Sequence, residues 1–278
     1  MSESLPPGLH IVATPIGNLG DLSPRASETL RRADRILVED TRVTAKLLQH
    51  IGAMVPMTRY DDHSSAEERQ SIVGQLGDKA IALVSDAGTP LISDPGYKLV
   101  RAARAAGHAV HTLPGPSAVI SALTLAGLPT DRFLFLGFLP AKSKARGDAI
   151  AEVASVRATL VLYESGPRLG DTLAALAEGL GPREAAVVRE ISKLHEECVT
   201  GTLVELAERY GEAAAPKGEI VIIVGPRGEA MIASDEEIDA AIDQALQHSS
   251  PSRAAAEVAE RLNVPRKRAY ARALERSK

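Results

Sequence analysis

Two charged segments carry residue types that can do acid–base chemistry. Residues 39–42 (Glu-Asp-Thr-Arg) place a carboxylate, Asp40, and a guanidinium, Arg42, where a strand ends and a helix begins. Residues 189–197 are dense in charge at another strand end and include Lys193. Such groups can exchange a proton with a substrate or hold a substrate phosphate. Two plainer interpretations stand beside this one: Asp40 or Thr41 caps the helix, and the second segment is an exposed loop.

Three loops of small and turn-forming residues follow predicted strands. An apolar run at residues 80–84 ends in residues 85–96, whose glycines allow close approach of the backbone to a ligand. The same design recurs after residues 9–14 and after residues 109–113, where a Pro-Gly-Pro turn precedes a helix. The carboxyl ends of parallel strands lie at one edge of a sheet. The sequence therefore predicts that the three loops open onto one ligand crevice.

The loops lack what a polyphosphate ligand requires. The chain contains neither a G-x-x-x-x-G-K-[ST] nor a G-x-G-x-x-G motif, and no Lys or Arg lies within residues 14–22 or 85–96. A nucleoside triphosphate or a dinucleotide is normally met by such groups. A ligand with few negative charges and many polar edges suits the loops better, and S-adenosylmethionine fits that description.

Composition narrows the protein class. With 278 residues, the chain can form one large or two medium domains plus a small appendage. Its single cysteine, Cys198, excludes an internal disulfide and indicates the reducing cytoplasm. We expect no signal peptide, no membrane span and no metal site, because the histidines at 63, 108, 111 and 195 lack a third ligand at metal-binding spacing. The net charge of −4 means that nucleic-acid binding needs a local basic patch.

Alternating strands and helices predict an α/β fold with two α/β domains. The boundary follows a composition shift at residues 127–131. We predict a disordered N-terminus at 1–8, an N-terminal domain at 9–126, a second domain at 127–228 and a helical extension at 233–278. The predicted strands are 9–14, 35–38, 80–85, 109–113, 133–137, 159–164, 185–190 and 219–224. The predicted helices are 24–32, 44–50, 66–76, 97–106, 117–125, 145–155, 168–179 and 203–210.

The C-terminal extension has an uneven charge distribution. Residues 233–250 carry five acids and no Lys or Arg, whereas residues 251–278 carry eight Lys or Arg and three Glu. Its apolar residues follow helical spacing, and the whole is similar to a helix-turn-helix appendage able to contact RNA. The alternative is a helical tail with a solvated polar face.

Six segments taken together carry a family resemblance. They are residues 12–19 (Val-Ala-Thr-Pro-Ile-Gly-Asn-Leu), 39–42, 85–96, 114–117 (Pro-Gly-Pro-Ser), 163–165 (Tyr-Glu-Ser) and 218–225. In this order they resemble the ribosomal RNA small subunit methyltransferase I group of the tetrapyrrole methylase superfamily. The resemblance implies S-adenosylmethionine-dependent 2′-O-methylation of a cytidine ribose in the decoding centre of 16S ribosomal RNA by a cytoplasmic homodimer. One departure is that residues 63–69 (His-Ser-Ser-Ala-Glu-Glu-Arg) replace a His-Asn-Glu pattern of that group.

The chemistry of the reaction suggests roles for three charged residues, because a ribose hydroxyl is a weak acid. Asp40 is the candidate base, and Arg42 and Lys193 are candidates for orienting phosphate or stabilising the oxygen that attacks. The resemblance implies that the cofactor lies in a cleft between the two α/β domains, against Pro15, Ile16, Asp86, Gly88, Thr89, Ile92, Ser117, Ala118, Tyr163, Gly218 and Glu219. Two alternatives stay open: a methyltransferase of the same superfamily that acts on a tetrapyrrole or another small substrate, and a non-catalytic RNA-binding protein.

Overall fold

The computed structural model describes residues 5–61, 63–212, 215–227, 235–262 and 264–277. The strands are β1 Gly8–Val12, β2 Arg35–Val38, β3 Met57–Arg59, β4 Ala80–Leu83, β5 Val110–Leu113, β6 Phe133–Phe138, β7 Thr159–Ser165, β8 Glu184–Arg189, β9 Glu197–Thr202 and β10 Glu219–Val224. The helices are α1 Pro24–Arg32, α2 Thr41–Ile51, α3 Ala66–Val73, α4 Tyr97–Ala105, α5 Ala118–Ala126, α6 Ser143–Val153, α7 Leu169–Leu180, α8 Leu203–Glu212, α9 Asp235–Leu246, α10 Pro251–Arg261 and α11 Arg266–Arg276.

The first sheet is parallel throughout and has the order β3-β2-β4-β1-β5. β1, β2 and β4 are fully or almost fully buried apolar runs, as expected for strands covered by helices on both faces. This confirms the predicted α/β class and brings the loops after β1, β4 and β5 to one edge. β3 was not predicted, because its three residues are half-buried or exposed and form no apolar run.

The second sheet has the order β6-β7-β10-β8-β9. Only β6 and β7 are parallel; β10 lies between β7 and β8 and is antiparallel to both, and β9 is antiparallel to β8. β9 was not predicted, because its residues 197–202 are partly exposed and its first residue, Glu197, ends the charged segment. The predicted strands at 133–137, 159–164, 185–190 and 219–224 are confirmed to within one or two residues.

Helix α5 connects the two halves. It begins beyond the last strand of the first sheet, and its apolar face packs on the second sheet. Val119, Ala122 and Leu123 contact buried residues of that sheet, including Val188 and Ile223. The sequence places α5 in the predicted N-terminal domain (residues 9–126), whereas the helix packs on the second sheet.

The first strand begins one residue earlier than the sequence predicts, at Gly8. Residues 1–4 of the predicted disordered stretch lie outside the described residues. Gly8, its last residue, is instead the first residue of β1, and its N–H donates to the Lys79 carbonyl over 2.9 Å. Next to it, His10 Nε2 lies 2.9 Å from the carbonyl oxygen of Pro6. Backbone pairing with the turn before β4 therefore extends the sheet to Gly8.

The C-terminal helices α9–α11 enclose a small apolar core of their own. Aspartates of α9 pair with arginines of α11 along the length of the two helices: Asp235 with Arg268, Asp239 with Arg272, and Asp243 with Arg276. The acidic and basic halves of the extension thus neutralise each other in part. None of the described helices combines the length and the apolar content that crossing a bilayer requires.

Candidate functional site

A cleft of about 250 Å³ lies where the carboxyl edge of the first sheet meets the second sheet. The first half contributes the ends of β1 and β2, the loop after β4 and the start of α5. The second half contributes the strands β7 and β10 and the loop after β8. A cleft formed at such an edge is the usual place for a small ligand in an α/β protein.

Most of the predicted cofactor residues line this cleft. They are Ile16, Asp86, Gly88, Thr89, Ile92, Ser117, Ala118, Tyr163 and Glu219. Among the predicted catalytic residues, Lys193 also lines it. Pro15, Gly218, Asp40 and Arg42 are not among the lining residues described. Gly218 nevertheless lies next to the cleft, because a Cβ on it would overlap the Glu190 carboxyl group.

Several lining residues were not predicted. They are Glu39, Ser93, Asp94, Phe138, Glu164, Glu190, Ile191, Ile220 and Val221. Glu39, Asp94 and Glu190 lie in the segments 39–42, 85–96 and 189–197, which already contain predicted site residues. Closeness in sequence to those residues could have identified them. Nothing in the sequence marked Phe138, because it is one of several apolar residues in its strand.

The loop at residues 85–96 is held against its neighbours by backbone contacts. The N–H of Thr14 donates to the Gly88 carbonyl over 2.8 Å, and the N–H of Gly88 donates back to the Thr14 carbonyl over 3.1 Å. The Thr89 hydroxyl donates to the carbonyl of Pro116 over 3.2 Å, which joins this loop to the turn before α5. These bonds link all three predicted loops, and they confirm that the loops meet.

The second part of the same loop has a strained backbone. Leu91 and Ser93 have φ values of 76° and 64°, which residues other than glycine rarely adopt. Gly96 has a φ of 131°, and a Cβ on it would lie 2.7 Å from Leu83 Cδ2. Strain of this kind persists where surrounding packing imposes one conformation, and it concentrates at functional sites. The loop therefore holds Asp94 in one place in the cleft.

The cleft is acidic. Carboxyl groups come from both halves: Glu39, Asp86, Asp94, Glu164, Glu190 and Glu219. Among the described lining residues, Lys193 is the one Lys or Arg. Its Nζ lies 3.0 Å from Glu190 Oε1, so its charge is already balanced. A cationic ligand is therefore favoured over an anionic one.

Asp94 has an unusual environment. Burial raises the pKa of its carboxyl group to about 6, and the charges of Glu39, Asp86 and Glu219 act in the same direction, while a hydrogen bond with Ser85 opposes the rise. Burial likewise raises the pKa of Tyr163 to about 12, with Asp94 and Glu219 adding to the effect. Tyr163 is thus a neutral hydroxyl at pH 7.

Asp40 and Arg42 form a pair at the start of α2. The Asp40 carboxylate accepts from the Arg42 N–H over 2.8 Å and so caps the helix, and its second oxygen lies 2.5 Å from Arg42 Nη2. Hydrogen bonds from Arg42 lower the pKa of Asp40 to about 2. Asp40 therefore caps α2, as the plainer interpretation expects. Asp40 also reaches the cleft through its backbone, because its N–H donates to Asp86 Oδ1 over 3.0 Å.

The loop after β8 contacts the first half directly. The Ser192 hydroxyl donates to the Asp21 carboxylate, and the aliphatic part of Lys193 lies against Gly17. Glu190 and Ser192 have positive φ values of 52° and 65°. This charged segment is therefore a tightly turned bridge between the halves and not only an exposed loop.

Aromatic side chains form one wall of the cleft. The rings of Phe135 and Phe138 lie 4.9 Å and 5.6 Å from the ring of Tyr163. Phe138 is 55% exposed, so its ring borders both the cleft and the solvent. A partly exposed ring at the entrance can stack on a planar group. Among the described residues, no group of three or more His, Cys, Asp or Glu is arranged to hold a metal ion.

Comparisons with known proteins agree with this architecture. Residues 8–207 match the family described as Tetrapyrrole (Corrin/Porphyrin) Methylases, and residues 232–277 match the RsmI C-terminal HTH domain. A "Ribosomal RNA small subunit methyltransferase I" of Erythrobacter litoralis is 55% identical over 99% of this chain and 97% of that protein. Its namesake in Mesorhizobium japonicum is 45% identical over 99% of this chain and 94% of that protein.

Solved structures support the fold alone. A diphthine synthase is 17% identical, has a TM-score of 0.62 and covers 78% of this chain and 89% of its own. A uroporphyrin-III-C-methyltransferase from Thermus thermophilus is 20% identical, has a TM-score of 0.55 and covers 78% of this chain and 93% of its own.

Proposed function

This chain belongs to the ribosomal RNA small subunit methyltransferase I family within the tetrapyrrole methylases, and from that premise we propose its reaction in detail. The protein transfers a methyl group from S-adenosylmethionine to the 2′-hydroxyl of a cytidine ribose in the decoding centre of 16S ribosomal RNA. The protein acts in the cytoplasm as a homodimer, and the small ribosomal subunit or its RNA is the partner.

The acidic cleft is the observation that supports the cofactor. S-adenosylmethionine carries a sulfonium and an ammonium cation against one carboxylate, so it has a net positive charge. Asp86, Asp94 and Glu219 supply negative charge to such a ligand from both halves. Apolar surface from Ile16 and Ile92 lies in the same cleft and suits an adenine ring. The residues present therefore fit this cofactor.

Alignment is the main task of the protein in this reaction. When bound, S-adenosylmethionine supplies an electrophilic methyl group on its sulfonium. The backbone of Gly88, which has a φ of 81° and lines the cleft, allows the ligand to approach closely. The two halves enclose the reacting atoms from opposite sides, which fixes the line of attack. Lys193 and Arg42 are the proposed contacts for the RNA phosphates near the target ribose.

We propose that the C-terminal extension binds the RNA substrate. Its helices have their own core, so removing residues 233–278 does not expose the apolar interior of either sheet. We expect the shortened protein to bind S-adenosylmethionine normally and RNA more weakly. Equal RNA affinity with an equal salt slope would exclude the extension as an RNA contact.

Two measurements test the proposal. Calorimetry with S-adenosylmethionine and no added metal is expected to give one site per chain. Transfer of a labelled methyl group to small ribosomal subunits, followed by mapping of the modified nucleotide, is expected to place it on a cytidine 2′-oxygen. Label found on a base, on protein or only on a tetrapyrrole would overturn the assignment.

A matched pair of variants tests the position of the cofactor. Gly88→Val adds a branched side chain where φ is 81° and a Cβ would meet Ile16 Cγ2 at 3.4 Å, so it is expected to abolish binding. Gly147→Ala adds a methyl group with nothing within 4 Å and is expected to bind normally. Unchanged affinity in Gly88→Val would move the cofactor to another site.

A further inference from the structure

Phe138 is an aromatic residue of the cleft that has no role in the reaction so far. It is 55% exposed, whereas Tyr163 beside it is half-buried. Single exposed apolar side chains are common on protein surfaces, so exposure alone does not indicate a binding site. The backbone of β6, however, is irregular at the point that determines which face of the sheet carries this ring.

β6 contains one residue more than its pairing with β7 requires. Phe135 pairs with Val161 of β7, and Gly137 pairs with Leu162, the next residue of β7, so Leu136 is left out of the register. Side chains alternate between the two faces of a sheet, and one extra residue moves those that follow it to the opposite face. Bulges of this kind are frequent next to active sites, where they redirect a side chain.

The extra residue places Phe138 on the cleft face of the sheet. In the observed register Phe138 pairs with Tyr163, and the two rings lie 5.6 Å apart. Without the extra residue, Phe138 would pair with Glu164 and would share the opposite face with Leu160 and Leu162, which α7 covers. The bulge thus turns a position beneath a helix into a position at the cleft.

Gly137 brings this part of β6 close to the first half of the protein. Its φ of 63° favours glycine, and a Cβ on it would lie 3.4 Å from Ser93 Oγ in the loop between β4 and α4. Ser93 lines the same cleft. The ring of Phe138, which borders both the cleft and the solvent, therefore lies where the two halves meet.

From this placement we infer that Phe138 stacks on the base of the nucleotide that receives the methyl group. The inference deepens the function proposed above and rests on it. A ribose hydroxyl can enter a cleft between two halves only when its nucleotide leaves the stack of its neighbours, as in enzymes that flip their target base. The base then loses its stacking partners, and the ring of Phe138 replaces one of them.

The chemistry of the cleft favours a base over the other parts of the RNA. Carboxylates such as Asp86 and Glu219 repel a phosphate, whereas cytosine is neutral at pH 7. The adenine of the cofactor is assigned to Ile16 and Ile92 of the first half, so it does not compete for a ring of the second half. Stacking tolerates any base, so Phe138 contributes affinity and position and leaves the choice of cytidine to other contacts.

The primary test compares kcat/KM for small ribosomal subunits at saturating S-adenosylmethionine. Phe138→Ala removes the ring and is expected to lower kcat/KM about 10- to 100-fold. Phe138→Tyr keeps an aromatic face and is expected to stay within about threefold of the native protein. Phe133→Ala is the control and is expected to keep the native value, because Phe133 is a 43% exposed ring at the other end of β6 and is not among the described lining residues of the cleft.

A substrate without the base distinguishes stacking from a structural role. Small subunits reconstituted with 16S RNA that has an abasic ribose at the modified position keep the 2′-hydroxyl but offer nothing to stack. On these subunits Phe138→Ala is expected to stay within about threefold of the native protein, because both proteins then lack the stacking contact. An equal loss on cytidine and abasic subunits would overturn the inference, since the ring would then act through the protein structure.

Cofactor binding tests the fold of the variant and the other planar group that could occupy the ring. Calorimetry is expected to show that Phe138→Ala binds S-adenosylmethionine with native affinity, which also shows that the variant is folded. A large loss of cofactor affinity with an unchanged KM for subunits would place the ring against the adenine and would overturn the inference. If Phe138→Ala does not fold, Phe138→Leu keeps apolar volume beside Tyr163 and removes the ring, and a native kcat/KM in that variant would equally overturn it.

The two proposals fail in different ways. A native protein that methylates no ribose hydroxyl removes the proposed function, and the stacking contact goes with it. A native protein that methylates the ribose, combined with a Phe138→Ala variant of equal kcat/KM on cytidine subunits, removes only the role of Phe138.

Discussion

The side chain of Lys193 lies across Gly17, so that a Cβ on Gly17 would come within 2.7 Å of Lys193 Cγ. Gly17 lies in the connection between β1 and α1 of the first half, and Lys193 belongs to the loop after β8 in the second half. The lysine also pairs with Glu190 over 3.0 Å. The absence of a side chain at residue 17 thus allows a cation from the other half to reach the cleft.

Gly17→Ala is expected to displace Lys193 and to lower methyl transfer about tenfold, since its φ of 150° adds strain to the clash. Adding Lys193→Met to this variant is expected to cause little further loss, because both changes remove the same interaction. Single-turnover rates of the four proteins measure this coupling. Gly147→Ala is the control, and fully additive losses would show that the two residues act separately.

Asp40→Asn keeps the shape of the helix cap but removes the charge that binds Arg42. Because the pKa of Asp40 is about 2, its carboxylate is a weak base at neutral pH. We expect the variant to lose less than tenfold in rate. A loss of order 10²-fold would instead identify Asp40 as the base.

The free basic residues of α11 are expected to provide the RNA contact. Arg266 and Lys267 are exposed and have no ion-pair partner within the described residues, whereas Arg268 pairs with Asp235. Replacing both Arg266 and Lys267 by alanine is expected to reduce the slope of log K against log salt by about 1 to 2. Arg268→Gln is the comparison, and we expect it to change the slope less. A larger effect of Arg268→Gln would reverse this assignment.

The aspartate–arginine pairs of the extension predict sensitivity to acid. Hydrogen bonds from Arg272 and Arg276 lower the pKa values of Asp239 and Asp243. The folded pKa values therefore lie below the unfolded value of 3.8, so the pairs add stability above that pH and lose it as pH falls further. We expect the ¹³Cα shifts of α9 and α11 to lose helical character on acidification from pH 5 to 2. Arg276→Gln is expected to weaken this dependence.

The success of sequence-based prediction depended on the physical signal available. The core strands of the first sheet are continuous apolar runs, and the loop at 85–96 has a rare density of glycine and proline, so both were predictable. The position of α5 was not, because an apolar helix face does not reveal which sheet it covers. Asp40 showed a similar ambiguity, since a capping carboxylate and a catalytic base look alike in sequence.

The environment of Asp94 depends on the fold as a whole. Its pKa reflects burial together with charges from Glu39, Asp86 and Glu219, which are distant from one another in the chain. No local sequence pattern reveals the combined effect of burial and these charges on the pKa. Sequence therefore identified the loop, while the environment of one carboxyl group within it required the three-dimensional arrangement.

The packing of α5 has a consequence for synthesis on the ribosome. The helix is complete at Ala126, but the second sheet that covers it contains β10, which ends at Val224. At ribosomal speeds of roughly 5–20 residues per second, about 100 residues take on the order of 5–20 s. During that time the apolar face of α5 has no finished sheet to cover it. The nascent chain thus passes through an interval in which chaperones have an exposed helix to bind.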